Sequence, residues 1–117
     1  MRGTVSADPI AQFEQLFTHL RDYLAVAGCD FASLVEITTY HGDLPSHLES
    51  FVAIKDRHVA KPYPAWSAIG ISSLITPGAL IELRAIAEAP EDDVERSVAL
   101  DVAQRWEEST GSHGQAR

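Results

Sequence analysis

An α+β fold, a small mixed β-sheet with two helices packed on one face, is predicted by three observations on this 117-residue chain. Two stretches between helix-capping residues carry apolar side chains at intervals of three and four. Three other stretches are short, rich in β-branched residues and bounded by Pro or Gly. The order along the chain is helix, strand, helix, strand, strand, helix, too few strands and too irregular an alternation for a parallel α/β layer.

The first helix is read from "ADPIAQFEQLFTHLRDYLAVAG". Asp8 can cap, Pro9 suits the first helical position, and Gly28 suits the left-handed residue past the last turn. Ile10, Phe13, Phe17, Leu20, Leu24 and Ala27 form one stripe to be buried. "ASLVEITTYH", residues 32–41, alternates Val35, Ile37 and Thr39 with Glu36, Thr38 and Tyr40 and reads as a strand. The second helix is expected from Ser46, whose spacing to Glu49 is that of a capping box, with Leu48, Phe51, Val52, Lys55 and Val59 on its stripe. Pro62 and Pro64 end it, because each pushes the residue before it toward extended backbone.

Two further strands are expected at about 65–74 and 79–87, joined at Pro77-Gly78, a pair that fits the central positions of a type II turn, and pairing antiparallel. After Pro90, Val94, Val98, Val102 and Trp106 recur every four residues, which predicts a third, acidic helix over about 92–108, followed by a polar tail. The domain reading is a core over 1–88 and a helical extension and tail over 89–117. Three strands with two largely apolar faces need a cover on the side away from the helices, supplied by a partner subunit or by strands from elsewhere.

Composition narrows the function. Nine Lys+Arg against seventeen Asp+Glu give a net charge of −8 without any basic cluster, so nucleic acid is not an expected partner. Residues 88–108 hold eight of the acids and two of the bases. A single cysteine, Cys29, cannot form an internal bridge and suits a reducing, cytoplasmic setting. The start carries no signal-peptide apolar stretch, and no apolar run approaches the ~20 residues of a membrane span. The five histidines lack the paired spacing of a metal site, so no metal is expected; His47 and His58 lie too far apart along one helix to share an ion. No cofactor motif is present, and Cys29 has no identifiable base beside it.

The "Q…L…L…AG" helix, the strand "SLVEITTYHGDL" and the stretch "PAWSAIGISSLITPGALIELRAIA" together resemble the RidA/YjgF family, whose fold is chorismate mutase-like. The resemblance runs from Gly3 to Ala87 and implies a homotrimer that hydrolyses reactive imines and enamines to keto acids. It implies as well a core lacking the N-terminal strands that line one side of the family's intersubunit pocket. On the same resemblance Glu82 matches the glutamate that positions the attacking water, and Ser67 and Ala68 match the segment lining the pocket floor. Trp66 falls where the family has the arginine that grips the substrate carboxylate. An indole offers one N–H and no charge, so it cannot replace a guanidinium fork.

Two roles for Trp66 follow, a packing residue that fills the former carboxylate site or a stacking surface for a ligand. Glu82 is either a water-orienting carboxylate or a structural one paired with Arg84, which lies on the same strand face and offers a displaced positive charge. Three functions remain open. The first is a divergent RidA-like protein binding a small organic metabolite, with Trp66, Ser67, Ala68 and Arg84 as ligand contacts. The second is an active imine or enamine deaminase using Glu82. The third is a structural subunit whose sheet is completed by a partner chain.

Overall fold

The computed structural model describes residues 7–91 and 94–103. Helix α1, Pro9–Val26, begins as the sequence predicts, with Asp8 accepting a hydrogen bond from the Ile10 N–H and Pro9 in the first turn. It ends in a Schellman motif: Gly28 has φ 78°, the Cys29 N–H bonds the Leu24 carbonyl at 2.7 Å, and the Gly28 N–H bonds the Ala25 carbonyl at 3.0 Å. A short 3₁₀ turn at Phe31–Ser33 leads into strand β1, Leu34–His41. Helix α2, Leu44–His58, follows, then strands β2, Ala65–Gly70, β3, Ile81–Glu91, and β4, Val94–Ala103.

The four strands form one mixed sheet in the order β2-β1-β3-β4. Two helices pack on it, in the α+β arrangement expected. Along β3 the odd-numbered residues Ile81, Leu83, Ala85, Ala87 and Ala89 are buried under the helices. In β1 the residues on that side are Leu34, Ile37, Thr39 and His41, the irregularity between Leu34 and Glu36 resetting the alternation. They meet Phe13, Leu16, Phe17, Leu20 and Leu24 of α1 and Phe51 and Ile54 of α2. Phe51 is the hub, 5.4 Å from the Phe13 ring, 5.6 Å from Phe17, 4.9 Å from His41 and 6.0 Å from Trp66. A buried aromatic that bridges two helices and two strands couples those elements into one cooperative core.

Four expectations are corrected. First, the last predicted helix is a strand over the described part of its range. β4 runs antiparallel to β3 along its whole length, from Glu91↔Val94 to Glu82↔Ala103. A spacing of four residues is even, so it keeps one face of a strand as well as one face of a helix, and Val102 is fully buried opposite Leu83. The described part of the expected extension is therefore in the sheet, and the 88/89 boundary falls inside β3; residues 104–117, with Trp106 and the polar tail, lie outside the described residues.

Second, β2 and β3 do not pair. β2 lies parallel to β1 on one side, β3 antiparallel to β1 on the other. The Pro77-Gly78 turn does form, with Gly78 at φ 82° and the Ala79 N–H bonded to the Thr76 carbonyl at 3.1 Å, but it lies within a longer crossing connection over residues 71–80. Gln12, buried on α1, secures that connection: its side-chain amide donates to the Gly78 carbonyl at 2.9 Å and accepts from the Leu80 N–H at 2.7 Å.

Third, α2 starts two residues before Ser46, because Pro45 already has the backbone angle of a first helical turn, and its N-cap Asp43 makes no side-chain cap bond. Fourth, the face of the sheet away from the helices is not largely apolar. Glu36, Glu82, Arg84, Glu88 and Asp101 share it with Tyr40, Ile69 and Ile86, as the register requires.

Replacing Phe51 by Ala is expected to cost about 3–5 kcal/mol, measured by urea unfolding, since it empties the contact point of both helices and strands β1 and β2. A loss under ~1 kcal/mol would show that the packing around Phe51 does not couple them.

Candidate functional site

Strand parity divides the residues singled out in the sequence. Trp66 and Ala68 pair in register with Ile37 and Thr39, so they lie on the helix-covered side of β2. Ser67 and Arg84 flank Thr38 on the opposite side, in one row across three strands, and Glu82 lies in the next row beside Tyr40. The sheet thus separates Trp66 from Glu82 and Arg84.

On the helix side, Trp66 is half-buried and its single N–H is committed. Nε1 donates to Thr39 Oγ1 at 2.9 Å, and the same oxygen lies 2.8 Å from Nε2 of His41. A hydroxyl has one proton to give and two lone pairs to share, so Thr39 can hold both partners at once. His41 is 1% exposed, and its Nδ1 is buried with no partner among the described residues. Burial, with a smaller contribution from the charge of His47, pushes the His41 pKa down to about 4. It is a neutral core histidine at physiological pH.

Next to Trp66 stands a cation that the helical stripe had already placed inward. Lys55, in the last turn of α2, has its ammonium 4.7 Å from the Trp66 ring centroid and 5.0 Å from that of Tyr63. One of its protons goes to Asp56 Oδ1 at 2.8 Å, and the Lys55 side chain is only 7% exposed while Asp56 is 39% exposed. Two aromatic faces and one carboxylate therefore surround an ammonium at the rim of the sheet.

On the other side, Arg84 does not meet Glu82. Its guanidinium bonds both carboxylate oxygens of Asp101 on β4, at 3.1 and 3.2 Å. Both side chains of that pair are half-exposed or more, so it contributes little to stability, but it occupies the charge. Glu82 is partly buried beside Tyr40 and makes no ion pair among the described residues. Ser67 is exposed.

The remaining polar contacts are structural. Glu14 of α1 accepts from His58 at 2.8 Å and from Arg57, both of α2, and these two hold its carboxyl below the ordinary carboxylate range. His58 also stacks on Phe17 at 5.3 Å, so the pair clasps the two helices together. No group of three or more His, Cys, Asp or Glu among the described residues could hold a metal ion, and none of the described helices is long and apolar enough to cross a membrane. The site residues that sequence reasoning missed are Thr39, His41 and Tyr63. Thr39 and His41 belong to the expected strand, yet only the pairing of β2 beside β1 brings them to Trp66.

Comparison with known proteins adds the wider context. A family model described as Endoribonuclease L-PSP matches residues 1–89 and ends before β4 begins. The chain is 34% identical over 90 residues to a RutC family protein, YjgH, of Escherichia coli strain K12, which covers 76% of this chain and 67% of that protein. A solved structure of protein YjgH superposes with a TM-score of 0.70 over 77% of this chain and 68% of that one. The Rid-family protein YyfB from Yersinia pestis, 31% identical, gives 0.64 over 71% and 65%. The chain thus spans about two thirds of the length of these proteins.

A depressed histidine pKa makes stability fall on acidification, because the unfolded chain binds a proton between its ordinary value near 6.5 and about 4 while the folded chain does not. The His41 contribution is fully present above pH 6.5 and is lost as the pH falls through about 4. The urea midpoint is therefore expected to drop across that window, and His41→Phe to flatten the drop. An equal drop in the variant would remove His41 as its cause.

Proposed function

Because the chain belongs to the RidA/YjgF family, described also as the endoribonuclease L-PSP family, we propose that it is a divergent member, a homotrimer in the cytoplasm. It binds a small organic metabolite in a cleft between subunits, and the family's imine deamination is lost or altered. One observation carries this reading: the residue at the family's carboxylate-gripping arginine is Trp66, whose only N–H is already given to Thr39.

Two further arrangements support it. Arg84, the nearest candidate for a displaced guanidinium, is engaged by Asp101 and lies across the sheet from Trp66. Glu82, the candidate for orienting water, lies on that same far side, so a ligand held near Trp66 does not meet it. Hydrolysis of a 2-imino acid needs the gripping charge and the water-orienting carboxylate on the same reacting molecule within hydrogen-bond reach.

The trimer is favoured by the uncovered sheet face, where Tyr40, Ile69 and Ile86 mix with charges in the way of a subunit contact. β4 covers the outer edge of β3 with residues of this chain, which favours a sheet built from one polypeptide over one completed by a separate subunit. The net charge of −8 disfavours a nucleic-acid partner despite the family description.

The test is hydrolysis of 2-imino acids generated in place by an amino acid oxidase. The chain is expected to release keto acid no faster than buffer, and Trp66→Arg to stay inert, because the new guanidinium would face the Lys55 ammonium. Clear turnover by the native chain that disappears in Glu82→Gln would overturn this reading and establish a working deaminase. Light scattering on the eluted peak is expected to give the mass of three chains; a monomer would remove the intersubunit cleft.

A further inference from the structure

Among the described residues, His41 Nδ1 is the only buried side-chain nitrogen or oxygen without a hydrogen-bond partner. Its other nitrogen, Nε2, meets Thr39 Oγ1 at 2.8 Å, and that oxygen already accepts the Trp66 N–H. Acid changes this proton count, because an imidazolium carries N–H on both nitrogens. Nε2 can still donate to the second lone pair of Thr39, but Nδ1 becomes a charged donor without an acceptor, beside the Phe51 ring 4.9 Å away and fully buried Ile81.

The facing groups do not compensate that charge. On α2, His47 has the same sign when protonated, Lys55 is a cation held against Trp66, and Asp56 is engaged by Lys55. The Asp43 carboxylate at the start of α2 makes no bond to the ring. β2 has no ionisable side chain, and on β3 Ile81, Leu83 and Ala85 face the helices while Glu82 and Arg84 lie across the sheet. Glu14 of α1 is taken by Arg57 and His58. A protonated His41 must therefore reach water, and its cover is thinnest toward β2. There its register partner is exposed Gly70, which has no side chain, and its carbonyl receives the Ile71 N–H at 2.9 Å. Beyond Ile71 no residue up to Leu80 is buried, and Ile75 is 96% exposed. Buried Val59 tethers this segment at one end and the Gln12 bonds to Gly78 and Leu80 at the other.

We propose that His41 is the trigger of an acid-operated latch: its protonation detaches β2 and the connection up to Gly78 from β1, exposing the Trp66 indole, while the helices and the rest of the sheet stay folded. The fully buried Phe13, Leu16, Phe17, Leu20, Leu24, Leu83 and Ala85 form a core without β2, so the segment can open as a local unit. The sign follows from linkage. The closed form resists the proton until about pH 4, the opened ring takes it near 6.5, and acid between those values draws the segment open.

Trp106→Phe leaves Trp66 as the one tryptophan of the chain, so its emission maximum and acrylamide quenching report on the latch while far-UV circular dichroism reports on the helices. As the pH falls from above 6.5 to about 4, a red shift and stronger quenching are expected with the helix signal unchanged. His41→Phe and His41→Gln, which cannot take the proton, are expected to keep the neutral-pH emission. Emission that stays constant over that window, that changes only together with the helix signal, or that shifts equally in the two variants would overturn the proposal. Should neither variant fold, the His41 Cε1 proton resonance of the native chain is expected to titrate with the emission midpoint, and a different midpoint would overturn it.

Discussion

The hydroxyl of Thr39 joins the elements on which the site depends. Thr39 is fully buried on the helix side of β1, and its oxygen takes the Trp66 N–H from β2 while meeting the His41 ring from its own strand. Both neighbours in turn pack on Phe51 of α2. An edge strand as short as β2, with four of its six residues exposed, has little apolar area of its own to hold it. Its attachment comes from the parallel ladder to β1 and from this buried polar link, where satisfied hydrogen bonds specify a unique arrangement and unsatisfied ones would be costly.

That link also decides the chemistry. A tryptophan with a free N–H could still greet a ligand oxygen, but here the donor is spent inside the fold. What the indole presents to its surroundings is its π face, and the group found against it is a cation, Lys55. Meanwhile the parity of the strands sends Glu82 and Arg84 to the far side, where Asp101 from β4 engages the arginine. The result is a division by geometry: charge and aromatic surface on the helix side at the rim, and on the open side a carboxylate, Glu82, whose neighbouring arginine is engaged by Asp101.

Much of the fold was legible in the chain, because its helix ends are written in local chemistry: Asp8, Pro9 and Gly28 each act within a few residues of themselves. The turn at Pro77-Gly78 was legible for the same reason, since φ 82° at Gly78 is a local requirement. Pairing was not, because a turn signal says that the chain reverses and not which strand it then meets. The Val94 to Val102 pattern satisfies a helix and a strand equally, and only the free edge of β3 decides between them. The site suffered most from this. Lys55 stood on the expected stripe of α2 without a visible partner, and the side taken by Trp66 depends on the register of β2 against β1, a long-range fact. Family resemblance located Trp66 and Glu82 in sequence, yet could not say that the sheet lies between them.

A double-mutant cycle on Thr39→Val and Trp66→Phe tests the central link most directly, because each change removes one partner of a single hydrogen bond with little change of shape. A coupling of about 1 kcal/mol or more in unfolding free energy is predicted, as for a buried hydrogen bond whose loss leaves a polar group unsatisfied. Additive effects would contradict the account, since the Trp66 N–H would then be free for a ligand and the indole would have no fixed place in the core.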